Sequence, residues 1–145
     1  ALDMKEAPHC FACGQKNPIG LRLKFRNEGG KAVTEFTPGE HYQGWPNVTH
    51  AGITCTMLDE AVGYAAYYLG VYIVTTRLDI RLIKPTMIGK KYIICAEAKK
   101  ETEKRASGYG TVKLEDGTLI AEVKAEMHII MSDEKSTPPK SRGDK

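Results

Sequence analysis

Hydrophobic and polar residues alternate over a short segment near the start of the chain, residues 21–27 (LRLKFRN). Leu21, Leu23 and Phe25 point to one side of this segment, and basic residues occupy the positions between them. A two-residue period is typical of a half-buried β-strand. The residues EGG at 28–30 predict a turn, and residues 31–37 predict the second strand of a hairpin.

The same period returns in four longer segments, at residues 72–85, 90–100, 106–115 and 118–131. In the first of them one face is expected to be apolar, with Val74, Leu78, Ile80 and Leu82. The opposite face carries Thr75, Arg77, Asp79 and Arg81. Asp116-Gly117 predicts a tight turn between the last two strands.

Residues 49–70 (THAGITCTMLDEAVGYAAYYLG), between the two groups of strands, predict one long helix. Thr49 is the expected N-cap, and Gly70 is the expected stop. Because the segment is apolar on most sides, we expect it to be buried nearly all round. One helix and about six strands predict an α+β domain, in which a strongly curved antiparallel sheet wraps around the helix.

The length of 145 residues fits a single domain. We expect an ordered leader loop at 1–19, one domain at 20–131 and a disordered polar tail at 132–145. The net charge of +3 comes without a cluster of Lys and Arg, which argues against nucleic acid as a partner. No apolar run approaches the ~18 to 20 residues of a membrane span, and no signal peptide is evident, so a cytoplasmic protein without a membrane partner is expected.

Two of the four cysteines form a Cys10-x-x-Cys13 pair in the leader. With His9 beside them, they offer two or three ligands for zinc. A closed structural site needs four, so the remaining ligand would be His41, His128 or a residue of a second copy. The favoured interpretation is a tight loop of small residues, and no metal or other cofactor is expected. A redox role is weaker still, because no helix follows the pair to lower a thiol pKa.

Two carboxylates, Asp59 and Glu60, lie in the middle of the predicted helix, and no other charged residue falls between Ala51 and Gly70. Burying an unpaired carboxylate is costly, and Asp is a poor helix former. The stripe around Asp59 consists mostly of small residues, which leaves space for a ligand or a second chain. Asp59 either has a structural role, capping a backbone group or pairing with Arg77 or Arg81, or it is a general base or nucleophile. Glu60 is the expected structural residue of the pair.

The start of the helix offers a second chemical element. The residues Thr49-His50-Ala51-Gly52 place unpaired backbone N–H groups at a helix N-terminus. Such donors can hold a carbonyl oxygen that becomes negative in a transition state. Asp59 lies about two turns further along, which is far for joint action on one carbonyl within one subunit. A site shared between two subunits would bring one chain's helix start close to the other chain's Asp59.

These residues resemble the hotdog-fold acyl-CoA thioesterases of the PaaI-like group. The signature of that group is His-Gly-Gly with an acidic residue nine positions after the His, and His50-Ala51-Gly52 with Asp59 keeps this spacing. The stretches YQGWPNVTH, VTTRLDIRLIKPTMIG and HCFACGQKNPIGLRLKF also resemble parts of the family, so the resemblance covers residues 9–131. It implies a hotdog fold, a homodimer or dimer of dimers with active sites at the subunit interface, and hydrolysis of an acyl-CoA thioester.

The resemblance also implies roles for particular residues. Asp59 activates water or attacks the thioester carbonyl itself, and the N–H groups near Ala51 and Gly52 polarise that carbonyl. Gln43 orients the nucleophile or the substrate, Thr75 matches a hydroxyl that assists water in some members, and His50 shapes the loop or touches the thioester. The expected substrate contacts are Trp45, Asn47, Tyr64, Lys84 and Arg105. Of these, the basic residues Lys84 and Arg105 are able to meet the CoA phosphates.

One position departs from the family pattern, because Ala51 stands where the first Gly is usual. Ala is strained if the position requires a positive φ, but it serves if the position is the first turn of a helix, and the second interpretation is favoured. A hydratase is disfavoured, since Asn17-Pro18 lacks a preceding Gly-Asp and a following His. A non-catalytic acyl-CoA-binding protein is the stronger alternative, and it would keep the pocket without turnover.

Overall fold

The computed structural model describes residues 7–133 and contains one α-helix and six strands in the predicted order. The elements are β1 (Arg26–Glu28), β2 (Lys31–Phe36), α1 (Ala51–Tyr68), β3 (Val71–Leu82), β4 (Tyr92–Lys100), β5 (Arg105–Leu114) and β6 (Leu119–Ser132). A short 3₁₀ turn, Glu40–Tyr42, lies between β2 and α1. The division into leader, domain and tail stays a prediction, because residues 1–6 and 134–145 lie outside the described residues.

All six strands form one antiparallel sheet in the order β1-β2-β4-β5-β6-β3. Helix α1 packs against this sheet and touches β2 to β6. The core lies between them, where the helix contributes the fully buried side chains Met57, Leu58, Ala61, Val62 and Ala65. The predicted α+β class is therefore confirmed. Strand β3 is an edge strand that pairs only with β6 within residues 7–133.

The helix has a different N-cap from the predicted one. The cap is His50, whose Nδ1 accepts a hydrogen bond from the Gly52 N–H at 2.9 Å. Thr49 lies in an isolated β-bridge, and its N–H donates to Thr86 O at 2.7 Å, so the predicted cap at Thr49 is wrong. The predicted stop is confirmed, since Gly70 follows the helix with a φ of +90°. In the described part of the chain, no helix is both long enough and apolar enough to cross a bilayer.

The first predicted strand belongs to the sheet only at its end. Leu21 and Leu23 are buried as the alternation predicts, but only residues 26–28 pair with β2. The Leu21 N–H donates instead to Phe11 O, and the Leu23 N–H donates to Ala12 O, both at 2.9 Å. The backbone of this segment therefore pairs with the leader, which corrects the predicted strand.

Strand β3 changes its inward-facing side partway along. Its pairing with β6 shifts register after Thr75, which leaves Thr76 as the extra residue of a β-bulge. Before the bulge, Ile73 and Thr75 face α1, and after it Ile80 packs against the core. Val74 is consequently 43% exposed. The predicted apolar face, which placed Val74 with Ile80, is corrected by the extra residue.

Candidate active site

The carboxylate of Asp59 lies in the middle of α1 and is oriented by strand β3. Thr75 Oγ1 donates a hydrogen bond to Asp59 Oδ1 at 2.7 Å, and both side chains are half-buried. The bulge at Thr76 aims the Thr75 hydroxyl at the helix. No salt bridge reaches Asp59 from within residues 7–133, and Arg81 pairs with Glu122 at 2.9 Å. The carboxylate is thus fixed in direction without being neutralised by an arginine.

Asp59 and Thr75 line a cavity of about 700 Å³, a volume typical of small-molecule sites. Another part of its wall is apolar or aromatic and includes Tyr64, Tyr67, Tyr72 and Ile73. The Tyr64 ring stacks on Phe25 with the ring centroids 4.8 Å apart, which fixes this part of the wall. The cavity therefore combines one oriented carboxylate with an apolar surface.

The predicted stripe of small residues around Asp59 divides into two parts. Gly63 lines the cavity one turn after Asp59, so this small residue leaves space, as expected. Val62 and Ala66 are fully buried in the core, and they serve the packing of α1 on the sheet.

Glu60 faces the leader, a contact that the sequence did not predict. Its Oε2 lies 3.8 Å from Cys10 Sγ, and the ligand atoms of Cys10, Cys13 and Glu60 all lie within 4.8 Å of one another. Burial raises the pKa of Glu60, and burial together with the Glu60 hydrogen bond raises the pKa of Cys13 well above its usual range. Burial also raises the pKa of Tyr64, which hydrogen-bonds to Cys13. The Cys-x-x-Cys spacing was the available signal, but it could not identify Glu60 as the neighbour.

The start of α1 lies in a second cavity, of about 570 Å³, which is also lined by Trp45 and Lys84. Ala51 is the first helical residue and its φ is not positive, so the expectation that this position is the first turn of a helix, where Ala is not strained, is confirmed. The Gly52 N–H is engaged by His50 Nδ1. The Ala51 N–H has no acceptor in the described chain, and it is available to an oxyanion. Asp59 does not line this cavity, so one chain does not bring the two elements together.

Solved structures share this architecture. A thioesterase superfamily protein superposes with a TM-score of 0.77 at 22% identity, covering 83% of this chain, and this chain spans 60% of its length. A Streptococcus mutans UA159 protein bound to acetyl CoA gives a TM-score of 0.71 at 16% identity, covering 77% of this chain and 91% of its own. The E. coli PaaI protein, from the phenylacetic acid degradation operon, gives 0.71 at 18% identity, covering 78% and 83%. The chain has the hotdog fold.

The predicted resemblance to hotdog proteins, including PaaI, is thereby confirmed at the level of the fold. No family model matches the chain, and no curated protein matches it in sequence. The helix that carries Asp59, Ala51–Tyr68, is the central helix of the hotdog domain.

Three other predicted residues of this hotdog domain do not line the cavity that contains Asp59. Gln43 serves its own loop, because its Nε2 donates to Glu40 O at 3.0 Å and its Oε1 accepts from the Asn47 N–H at 2.6 Å. Asn47 adopts a positive φ of 67° in the same loop. Arg105, at the start of β5, lines a third cavity of about 380 Å³ together with Lys104 and other residues. The roles assigned to these residues stay predictions.

Proposed function

We propose that this protein is an acyl-CoA thioesterase that uses Asp59 as its general base or nucleophile. The observation that carries the proposal is the Asp59 carboxylate, oriented by the Thr75 hydroxyl at 2.7 Å in the wall of the 700 Å³ cavity. A carboxylate held in a fixed direction beside an apolar surface can act on a thioester whose acyl group lies against that surface.

Two routes use the same carboxylate. As a general base, Asp59 takes a proton from water, and the resulting hydroxide attacks the thioester carbonyl. As a nucleophile, Asp59 attacks the carbonyl itself, and water then hydrolyses the mixed anhydride. In both routes the tetrahedral oxyanion collapses with departure of the CoA thiolate. In either route Thr75 holds the Asp59 carboxylate in a fixed direction, which favours the reactive geometry.

The oxyanion would be bound by the Ala51 N–H of a second copy of the chain. Within one chain Ala51 and Asp59 line different cavities, and eight residues of helix separate them by about 12 Å. Strand β3 offers an edge to the second copy, because it lies at the border of the sheet and exposes Leu78 and Leu82 on one face. A two-fold dimer would pair each Asp59 with the partner's helix start.

The substrate assignment rests on the apolar cavity wall and on the basic residues near the other cavities. Tyr64 and Tyr67 would contact the acyl group, and Trp45 and Asn47 belong to the loop beside the helix start. Lys84 and Arg105 would meet the CoA phosphates. The acetyl CoA bound to the Streptococcus mutans protein of the same fold supports a CoA ester as the ligand class.

The alternative is a protein that binds acyl-CoA without hydrolysing it. Such a protein would need the cavity, but it would not need a carboxylate oriented by a hydroxyl at the cavity wall. The two functions differ in one measurable property, which is release of the CoA thiol.

The test is thiol release from short, medium, long and aryl acyl-CoAs by the wild type and by Asp59→Asn. We expect turnover with at least one class and loss of most of it in Asp59→Asn, with the fold intact. Asp116→Asn is the matched control, because it makes the same change of side chain in the β5–β6 hairpin and replaces one turn-forming pair, Asp-Gly, with another, Asn-Gly. Full activity in Asp59→Asn would refute the assignment, and binding without turnover in the wild type would favour the alternative.

A further inference from the structure

We propose that Cys10, Cys13 and Glu60 form a zinc site that ties the leader to the central helix. The three ligand atoms lie within 4.8 Å of one another, although Glu60 is 50 residues away from Cys10. Two thiolates and a carboxylate form a donor set that suits Zn²⁺. The inference rests on this cluster alone, and it does not depend on the proposed thioesterase activity.

The turn that carries the two cysteines is already shaped to present both thiols to one ion. The Cys13 N–H donates to Cys10 Sγ at 3.4 Å, and the Gly14 N–H donates to Cys10 O at 2.8 Å. A Cβ at Gly14 would lie 2.4 Å from both Cys10 N and Pro8 O, so only glycine permits this tight turn. An N–H directed at a sulfur stabilises its thiolate, which is the form that binds metal.

The third ligand, the half-buried Glu60, comes from the central helix α1. Zn–S bonds of about 2.3 Å and Zn–O bonds of about 2.1 Å at tetrahedral angles place a sulfur and an oxygen about 3.6 Å apart. The observed separation of Cys10 Sγ and Glu60 Oε2 is 3.8 Å. Closing the remaining distances requires side-chain adjustments rather than movement of α1, because Cys10 and Cys13 lie on a loop.

Charge favours a cation at this point. Glu60 makes no salt bridge with any residue in 7–133, and its charged or polar neighbours are the thiols of Cys10 and Cys13 and the carboxylate of Asp59. A buried carboxylate is stabilised by metal coordination when no basic side chain reaches it. Zn²⁺ would displace the protons of the thiols and balance most of the negative charge that results.

The sequence alone directed attention to histidine as the additional ligand, and the structure assigns the position differently. His9 is exposed, and neither it nor His41 or His128 belongs to the cluster. Cys13 and Glu60 both line the 700 Å³ cavity, so a fourth coordination position would face that space or the Tyr64 hydroxyl. A metal there would fix the leader as part of the cavity wall.

The test is metal binding by the reduced full chain. Purified protein is stripped with a chelator, titrated with zinc chloride and assayed for bound zinc by mass spectrometry of the metal. We expect one zinc ion per chain. Cobalt(II) should give thiolate-to-metal charge-transfer bands and the intense visible bands of tetrahedral coordination.

Variants separate this site from adventitious thiol binding. Cys10→Ser and Cys13→Ser should lose the bound zinc, and Glu60→Gln should weaken its affinity by about tenfold or more. Cys95→Ser is the matched control, because Cys95 is a half-buried free cysteine on β4 outside the cluster. His9→Ala should likewise retain zinc.

Two results would overturn the proposal. One is a folded wild-type chain whose four thiols are all free by titration and which binds no zinc. The other is zinc binding that survives in folded Cys13→Ser or disappears in Cys95→Ser. If a ligand variant fails to fold, the cobalt spectrum of the wild type decides between thiolate coordination and none. Thiol-release assays on the chelator-treated protein report separately on the thioesterase.

Discussion

The most demanding prediction concerns the sharing of one active site between two chains. The perturbation is Ala51→Pro, which removes a backbone N–H and adds the proline ring. Proline is well tolerated at the first position of a helix, and Ala51 is that position. The preceding residue, His50, has φ −54° and ψ 132°, which is compatible with a following proline. The exposed Ala51 side chain leaves room for the ring.

The expected loss follows from the role of the N–H. Removing one oxyanion donor costs about 2.7 to 4 kcal/mol in the transition state, or roughly a 10²- to 10³-fold decrease in kcat. Stability should change little, because the Ala51 N–H has no acceptor in the described chain. Asp59→Asn inactivates the other half of the site. In a two-fold dimer of one chain of each variant, one site has both defects and the other has none.

The assay uses two affinity tags, so that only mixed oligomers pass two successive purifications. Each variant alone should be nearly inactive, whereas the mixed oligomer should recover about half of the wild-type activity per site, since one of two sites is intact. Wild type paired with Asp59→Asn is the control, and it should also give about half. If the control is active and the Ala51→Pro/Asp59→Asn pair is not, the two residues act within one chain and the shared-site reasoning is refuted.

Two further predictions concern single contacts. Thr75→Val removes the 2.7 Å hydrogen bond to the Asp59 carboxylate, which is worth about 1.5 to 3 kcal/mol, so kcat should fall by roughly 10- to 150-fold in steady-state assays. Thr75→Ser keeps the hydroxyl and should retain most of the wild-type kcat. Equal kcat values in Thr75→Val and the wild type would contradict this role of Thr75. Arg26 lowers the pKa of Glu35 through hydrogen bonding, so the pair stabilises the fold at neutral pH and this contribution is lost as the pH falls through the lowered pKa. Because both side chains are partly exposed, Glu35→Gln should lower the free energy of unfolding in urea by less than about 1 kcal/mol at neutral pH and by nothing in acid. A deficit that persists in acid would show that packing, and not charge, is responsible.

Local patterns in the sequence determined much of the architecture. The two-residue period predicted β2, β4, β5 and β6 to within a few residues, and the long apolar segment predicted α1, because burial on one face or on most faces leaves a direct imprint on residue order. The α+β class followed from the order of these elements, and the resemblance of residues 9–131 to a known family implied the hotdog fold. Asp59 was also visible, because a carboxylate among apolar residues is costly enough to need a reason.

Hydrogen bonding between distant segments decided the rest. The bulge at Thr76 reverses the inward side of β3 and turns Thr75 towards Asp59, and a bulge depends on the register with β6 rather than on the sequence of β3 alone. His50 displaces Thr49 as the N-cap because Thr49 is held by the backbone of Thr86.

The leader shows most clearly that contacts between distant segments cannot be predicted from local sequence patterns. The sequence shows Cys10 and Cys13 as a pair, but it does not show that Glu60 is their neighbour. That contact exists because the leader pairs with the backbone of Leu21 and Leu23, which places the cysteines beside α1. Periodicity reports which face of a segment is buried, and it carries no information about which distant segment covers that face. The sequence therefore determined the elements and the central carboxylate. The tertiary structure alone decided which groups surround that carboxylate, because those groups come from segments far apart in the chain.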